Sequence, residues 1–254
     1  MARVLIVGAG YTGGRTANLL RAQGHTVVTT RREGGDLRLV LPDTTPLLAL
    51  PGDGWRVLWS APEVEGILAL AGKAARVVYL STTGVYGDAR VVDASTPAAP
   101  STRRTQARLE AEAVVTAGPW SSCVLRPAAI YGPGRGAHES IRAGRWRIAG
   151  DGSTYTSRIH VDDLAAIAAE AVLTELQGAW PVADDEPSTN LEITRFCCEW
   201  MALPMPPHAP AEALDESRRA DRQVDGREVR QRLGIQLQYP SYRIGVPAAL
   251  AASS

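Results

Sequence analysis

Residues 4–14 read VLIVGAGYTGG, and they decide the interpretation of the rest of the chain. Four apolar residues are followed by glycines at positions 8, 10 and 13, and residues 15–22 then have a helical pattern. A strand, a glycine turn and a helix in this order give G-x-G-x-x-G its meaning as a dinucleotide-binding fingerprint. Gly8 permits the tight turn, Gly10 lets a diphosphate approach the backbone, and Gly13 lets the helix pack closely on the strand. We therefore predict that the helix N-terminus receives the phosphates of a dinucleotide.

The bulk composition excludes several classes of protein. The 254 residues include 27 Lys+Arg and 27 Asp+Glu, so the formal net charge is zero and a nucleic-acid partner is not expected. The chain enters a strand at once and has no run of eighteen apolar residues, which predicts no membrane partner and a cytoplasmic location. Three cysteines, two of them adjacent, match neither a disulfide framework nor a metal-binding pair, so we expect reduced structural cysteines and no metal site.

Outward from the glycine turn, short β-branched runs alternate with helical patterns. This alternation predicts an α/β fold, a Rossmann-type doubly wound parallel sheet with right-handed crossovers. Ligands of such sheets bind beyond the carboxyl ends of the strands, so Ser60-Ala61 and Ser81-Thr82 should border the same crevice as the glycines. The predicted strands are 4–7, 26–30, 56–60, 76–80, 122–125 and 179–183. Helices are predicted at 15–22, 64–75, 162–176, 191–201, 212–220 and 226–233, and after a Thr102 cap, with 33–54 as a loop.

The end of the second strand bears on the choice of cofactor. Sites that prefer NAD place an acid there for the ribose hydroxyls, but this chain has Arg31 and Arg32. An arginine at this position can pair with a 2′-phosphate through its fork of donors. We therefore favour NADP(H) and keep NAD(H) as the alternative; two solvated arginines on a loop are the other interpretation of the same residues.

Three further stretches carry a resemblance to a known family. Residues 81–88 (STTGVYGD), 125–134 (LRPAAIYGPG) and 150–165 (GDG followed by RIHVDDLA) resemble motifs of the extended short-chain dehydrogenases/reductases, the NAD-dependent epimerase/dehydratase family. The likeness runs in register from residue 3 to about residue 245 and is strongest to a short bacterial branch of atypical members. It implies a Rossmann core over 1–131, completed by about 161–187, with a small C-terminal substrate lobe from 132–160 and 188–254. A homodimer is a further expectation.

The chain departs from this family at the residues that the resemblance makes catalytic. Family members carry Y-x-x-x-K on a helix beside the nicotinamide, and a Ser/Thr that hydrogen-bonds the substrate oxygen. Aligning the sequence LEAE at 109–112 places Arg104 at the tyrosine, Arg108 at the lysine and Thr82 at the Ser/Thr. The four-residue spacing keeps both arginines on one helix face. An arginine is not an acid near neutral pH, but it can stabilise a developing oxyanion.

Three hypotheses about the chemistry follow. The protein reduces a carbonyl of a small molecule, with Thr82, Arg104 and Arg108 polarising the oxygen and water or another group supplying the proton. Alternatively, the proton comes from one of four other side chains: Tyr86, Tyr131, Tyr155 or His138. A protein that has lost the chemistry would instead serve as an NADP(H) sensor, and a nucleotide-sugar epimerase or dehydratase is a further rival.

The predicted site is thus an NAD(P)-dependent oxidoreductase site with two groups of residues. The cofactor-binding group comprises Gly8, Gly10, Tyr11, Thr12, Gly13, Arg31, Arg32, Ser60 and Ala61. The catalytic group comprises Thr82, Arg104 and Arg108. Arginines of the lobe are open to two interpretations, an anion-binding group or a solvated face: Arg135, Arg142, Arg145 and Arg147.

Overall fold

The fold is organised around a seven-stranded parallel sheet. The computed structural model describes residues 1–210, 213 and 220–252. Strand order is β7-β6-β5-β4-β1-β2-β3, and every neighbouring pair is parallel. The strands are β1 Arg3–Val7, β2 Thr26–Arg31, β3 Leu37–Arg38, β4 Trp55–Trp59, β5 Ala74–Leu80, β6 Ser121–Pro127 and β7 Gly178–Val182. The predicted Rossmann-type parallel sheet is confirmed.

Eight α-helices are present in the described residues. They are α1 Tyr11–Ala22, α2 Thr45–Leu48, α3 Arg103–Thr116, α4 Ala137–Arg142, α5 Val161–Leu173, α6 Asn190–Met201, α7 Arg227–Leu233 and α8 Tyr242–Ala251. The expected cap of α3 is observed, since the Thr102 hydroxyl accepts a hydrogen bond from the Thr105 N–H in a capping box. Most of the predicted helix at 212–220 falls outside the described residues.

Helices cover both faces of the sheet, which is why its strands are apolar without alternation. On one face α1 and α5 pack on β1 and β6, with Leu20, Leu164 and Val172 fully buried. On the other face α3 packs through Val115 beside Trp59. The two cores hold the sheet between layers of helices. Because its strands are parallel, the loops that follow several of them meet at its carboxyl edge.

Three local predictions were wrong. The helix predicted over 64–75 is only a 3-10 turn, Ile67–Leu70, because Gly66 and Gly72 on either side adopt positive φ and end the helical path. Residues 33–54, predicted to be a loop, include β3 and the single turn α2. The first helix also begins at Tyr11, directly after the glycine turn, rather than at residue 15.

The C-terminal part joins the core through short parallel pairings between distant segments. Arg158–His160 pairs with Ala129–Tyr131, and Gln223–Val224 pairs with Val91–Val92. A separate apolar cluster around Ile141, Ile193 and Cys197 underlies this region. In the described part of the chain, no helix has the length and apolar character needed to cross a bilayer.

Candidate functional site

The glycine turn has the close packing that the fingerprint requires. A Cβ atom added to Gly13 would lie 2.6 Å from the Gly8 carbonyl oxygen and 3.1 Å from Ile6 Cγ2, so only glycine lets α1 approach β1 this closely. Gly8 has φ +83°, and a Cβ there would lie 3.0 Å from the Ala61 nitrogen and 3.3 Å from the Ser60 carbonyl carbon. The structure therefore brings Gly8, Ser60 and Ala61 together, as their positions at the carboxyl ends of parallel strands predicted.

The start of α1 is electrostatically prepared for an anion. Its N-cap, Gly10, is exposed and makes no side-chain capping bond, and the first turn contains no acidic residue. The N–H groups at a helix N-terminus carry partial positive charge, which favours phosphates. Thr12 is buried one residue into the helix, so it contributes through its backbone. The tight glycine packing and the uncapped N-terminus together fit the diphosphate of a nicotinamide dinucleotide.

Arginines gather at the end of β2. Arg31 is exposed, and its guanidinium lies beside Gly14, since a Cβ added to Gly14 would be 3.3 Å from its Nη2. Arg38 pairs with Arg31 in the β2–β3 register, and its Nε donates to the Arg32 carbonyl oxygen at 3.2 Å. Arg38 was not identified from the sequence, because β3 was not predicted.

Asp36, an acid between β2 and β3, is engaged by other residues. Asp36 accepts hydrogen bonds from the backbone and hydroxyl of Thr29, each at 2.8 Å, and from Arg21 at 2.7 Å. The hydrogen bonds from Thr29 hold the pKa of Asp36 below its usual value. Asp36 is therefore a structural carboxylate, and it does not neutralise the arginines at the end of β2.

Thr82 follows β5 and begins a 3-10 turn, Thr83–Tyr86. Its hydroxyl oxygen accepts from the Gly84 N–H at 3.1 Å, so the hydroxyl proton is free to be donated. The half-buried side chain lies beside the start of α3, because a Cβ added to Gly84 would contact Thr105 Cγ2 at 3.1 Å and Thr82 Cγ2 at 3.5 Å. Thr82, at the end of β5, and the face of α3 that carries Arg104 and Arg108 therefore lie at the same edge of the sheet.

The two arginines of α3 differ in their surroundings. Arg104 is exposed, and within the described residues its side chain has no hydrogen-bond or ion-pair partner. Arg108 donates through Nη1 to the Tyr79 hydroxyl at 2.7 Å and to the Pro62 carbonyl at 3.3 Å. The Tyr79 hydroxyl in turn donates to the same carbonyl at 2.8 Å. Arg108 therefore holds the loop after β4, whereas Arg104 is free to meet a ligand.

A buried ion pair lies beside Ser81, the residue that precedes Thr82. Glu112 continues the helix face of Arg104 and Arg108 by one more turn, and its carboxylate accepts from Arg126 Nη2 at 2.7 Å and Nε at 3.2 Å. The Ser81 hydroxyl also donates to Glu112, and the Arg126 guanidinium lies 5.0 Å from the Tyr86 ring centroid. Glu112 and Arg126 are 4% and 7% exposed. The regular four-residue spacing along α3 was the signal by which Glu112 could have been found.

Burial disfavours three of the alternative proton donors. Tyr86 and Tyr131 are 1% and 3% exposed, and burial raises the pKa of both phenols. His138 is fully buried on α4, and burial lowers the pKa of its imidazole. Tyr155 is half-buried in a short antiparallel pairing with Thr189.

Arg222 fixes the segment that carries Thr82. Its guanidinium is 8% exposed and donates to three carbonyl oxygens of the following turn, those of Thr83 at 2.8 Å, Ala89 at 3.1 Å and Gly87. Because these carbonyls lie more than 130 residues away in sequence, local patterns gave no sign of the contact. Among the described residues, no cluster of three or more His, Cys, Asp or Glu side chains could hold a metal ion.

Known proteins resemble this chain over its whole length. No family model matches it. A conserved protein of unknown function from Silicibacter pomeroyi is 31% identical, with a TM-score of 0.84 and coverage of 100% of this chain and 99% of that one. A protein of Methylobacillus flagellatus assigned to the NAD-dependent epimerases/dehydratases is 28% identical, with a TM-score of 0.77 and coverage of 99% and 98%.

Two further matches are a solved structure and a curated relative. The human epimerase family protein SDR39U1, whose structure contains NADPH, shares the fold at 20% identity, with a TM-score of 0.80 and coverage of 98% and 99%. A 3-diazoavenalumate denitrifying reductase of Streptomyces is 32% identical over 126 residues. That match covers 47% of this chain and 41% of the relative, so the chain spans about two fifths of the curated relative it matches.

Proposed function

Because this chain belongs to the extended short-chain dehydrogenase/reductase family, with the NAD-dependent epimerases and dehydratases, we propose that it is an NADP(H)-dependent reductase of a small-molecule carbonyl. The observation that carries the proposal is the glycine turn, where a Cβ on residue 13 would lie only 2.6 Å from the Gly8 carbonyl oxygen, so that only glycine admits α1 this close to β1. When bound, the nicotinamide supplies a hydride to the substrate carbon. Arg31 supports the choice of NADP(H), since its guanidinium lies beside Gly14 near the start of α1 and forms no ion pair with an acid of the described residues.

The chain's own residues divide the remaining work. The Thr82 hydroxyl donates to the substrate oxygen, because its oxygen is already engaged by Gly84. Arg104 stabilises the negative charge that develops on the same oxygen. Arg108 positions the loop after β4 through Pro62 and Tyr79 rather than touching the substrate. The proton that completes the alcohol comes from water at the exposed mouth of the site, since an arginine does not release one near neutral pH.

Cofactor binding tests the proposal. We expect NADPH to raise the melting temperature more than NADH does. Arg31→Ala should lower the affinity for NADPH at least tenfold and leave the affinity for NADH unchanged, because only NADPH carries the 2′-phosphate. Arg21→Ala is the matched control: Arg21 is a second arginine near β2, but its charge is already paired with Asp36. Equal binding of the two cofactors by the wild-type protein would contradict the NADP(H) assignment.

A second candidate is hydride transfer to a diazo compound. The absence of the tyrosine and lysine at positions 104 and 108 favours it, and the Streptomyces relative is named as a denitrifying reductase of such a compound. An aryl diazonium ion that accepts a hydride gives the arene and N₂, so no proton donor is needed. A carbonyl that accepts a hydride gives an alkoxide, which must take up a proton.

The two candidates are separated by their need for that proton. We would follow NADPH oxidation with a panel of aldehydes and ketones and with an aryl diazonium salt, in H₂O and in D₂O. Carbonyl reduction predicts turnover with a carbonyl, a solvent isotope effect, and a loss of at least tenfold in kcat for Arg104→Ala. Turnover of the diazonium salt alone, with release of N₂, would replace the carbonyl assignment.

A further inference from the structure

A glycine turn from the substrate lobe lies against the start of α1. The turn is Gly132–Gly136, closed by the Gly132 N–H to the Arg135 carbonyl at 2.9 Å and the Arg135 N–H to the Gly132 carbonyl at 3.0 Å. Gly132, Gly134 and Gly136 have φ values of +152°, +75° and +134°, which other residues rarely adopt. The backbone of Arg135 is thus held in one place by its neighbours.

Tyr11 fastens this turn to the helix. Its hydroxyl donates to the Pro133 carbonyl at 3.0 Å, and a Cβ added to Gly132 would lie 2.8 Å from the same hydroxyl oxygen. Tyr11 is the first residue of α1 and follows Gly10 directly. A side chain carried by the turn next to Tyr11 is therefore close to the N–H groups that would receive a diphosphate.

Two guanidinium groups flank the Tyr11 ring, and among the described residues one of them has a counter-charge. Arg15 lies 4.4 Å from the ring centroid and donates to Asp162 at 2.9 Å. Arg135 lies 5.5 Å from the centroid, is exposed, and has no acidic partner within the described residues. One positive charge is therefore left uncompensated at the N-terminus of α1.

A buried imidazole gives a second, independent sign of an absent acceptor. His160 is 1% exposed, and its Nδ1 accepts from the Asp162 N–H at 3.3 Å. The other ring nitrogen, Nε2, then carries the proton, and it has no hydrogen-bond partner in the structure. This Nε2 lies 3.3 Å from the position of a Cβ on Gly132, on the same side of the turn as the Tyr11 hydroxyl.

We propose that Arg135 binds the diphosphate of the cofactor, so that the lobe contributes a positive side chain to a site otherwise built from the backbone of α1. This rests on the proposed function, since it requires a dinucleotide at the glycine turn. It assigns Arg135 to the diphosphate, which NADPH and NADH share, and not to the 2′-phosphate, which Arg31 recognises.

Binding measurements with three ligands test the assignment. Titration calorimetry would give Kd for NADPH, NADH and adenosine 2′-monophosphate, which has the 2′-phosphate but no diphosphate. We expect Arg135→Ala to weaken NADPH and NADH about equally, by about tenfold, and to leave adenosine 2′-monophosphate unchanged. Arg135→Lys should lose less affinity for NADPH and NADH than Arg135→Ala, because lysine keeps the positive charge. Arg145→Ala, which removes another exposed arginine of the lobe, is the control and should change none of the three.

The outcomes separate this inference from the proposed function. Unchanged NADPH and NADH affinities in Arg135→Ala, beside normal wild-type binding, would overturn the role of Arg135 alone. Weaker binding of all three ligands would overturn it as well. So would a raised KM for substrate with unchanged cofactor affinity, which would assign Arg135 to the substrate. Wild-type protein that binds neither NADPH nor NADH would overturn the proposed function together with the inference.

Discussion

Removing the buried carboxylate of Glu112, which accepts from Ser81, should cost much of the protein's stability. Glu112→Ala leaves the Arg126 guanidinium, 7% exposed, without a counter-charge and deprives the Ser81 hydroxyl of its acceptor. Breaking a buried pair from one side typically costs about 3–5 kcal/mol. For a domain of this size each kcal/mol lowers the melting temperature by about 2–4 °C, so we expect a fall of roughly 10 °C.

Urea unfolding followed by tryptophan fluorescence would measure the loss. Glu110→Ala on the same helix is the control: Glu110 is exposed and accepts a hydrogen bond from Gln106, and its removal should cost less than about 0.5 kcal/mol. Glu112→Gln, which keeps an acceptor for Ser81, should lose less than Glu112→Ala and serves if the alanine variant does not fold. The double variant Glu112→Leu/Arg126→Leu should be more stable than the sum of its single changes predicts. Equal effects of Glu112→Ala and Glu110→Ala would refute the reasoning.

Three further predictions concern the turn, a buried acid and the clamp on Thr82. Gly13→Ala should destabilise the protein by about 1–3 kcal/mol and weaken the binding of NADPH in calorimetry, because the added Cβ meets the backbone at 2.6 Å. Gly14→Ala should be tolerated, because its Cβ meets a movable guanidinium at 3.3 Å. Burial raises the pKa of Asp184 to about 8, so the folded state keeps a proton that the unfolded state releases above pH about 4. Stability in urea should therefore fall as pH rises from about 4 to about 8, by at most about 1.4 kcal/mol per unit, and Asp184→Asn should remove this slope; an identical slope in the variant would contradict it. Arg222→Met should lower kcat more than it raises KM, since it frees the turn that follows Thr82, and a change confined to the melting temperature would show a purely structural role.

Local chemistry made much of the fold predictable from sequence. The spacing of the glycines at 8, 10 and 13 after an apolar run predicted a strand, a turn and a closely packed helix, and the distance at Gly13 agrees. The Thr102 cap was found because a capping box involves residues only three positions apart. The prediction of a helix at 64–75 was wrong, because it followed the spacing of the apolar residues and gave too little weight to the glycines at 66 and 72.

The parts of the site that the sequence did not indicate depend on distant partners. The alignment placed Arg108 at the family lysine, yet its bonds to Pro62 and Tyr79 join residues 46 and 29 positions away. The three carbonyls that hold Arg222 lie even further along the chain. The sequence gives residue types at such positions but not their partners. The roles of Thr82, Arg104, Arg31 and the other proposed site residues stay predictions until binding and turnover are measured.

The pairing of early segments with late ones has a consequence for synthesis. Strand β6 gains its outer neighbour only when residues 178–182 have emerged, and Val91–Val92 waits for residues 223–224. The Asp163 carboxylate likewise meets its donors, the N–H groups of Gln238 and Tyr239, only after a further 75 and 76 residues have been made. At ordinary elongation rates a ribosome-bound chain would present an open sheet edge for several seconds. Such an edge readily recruits other chains, so the growing polypeptide should depend on chaperones that shield it until residues 178–182 have been made.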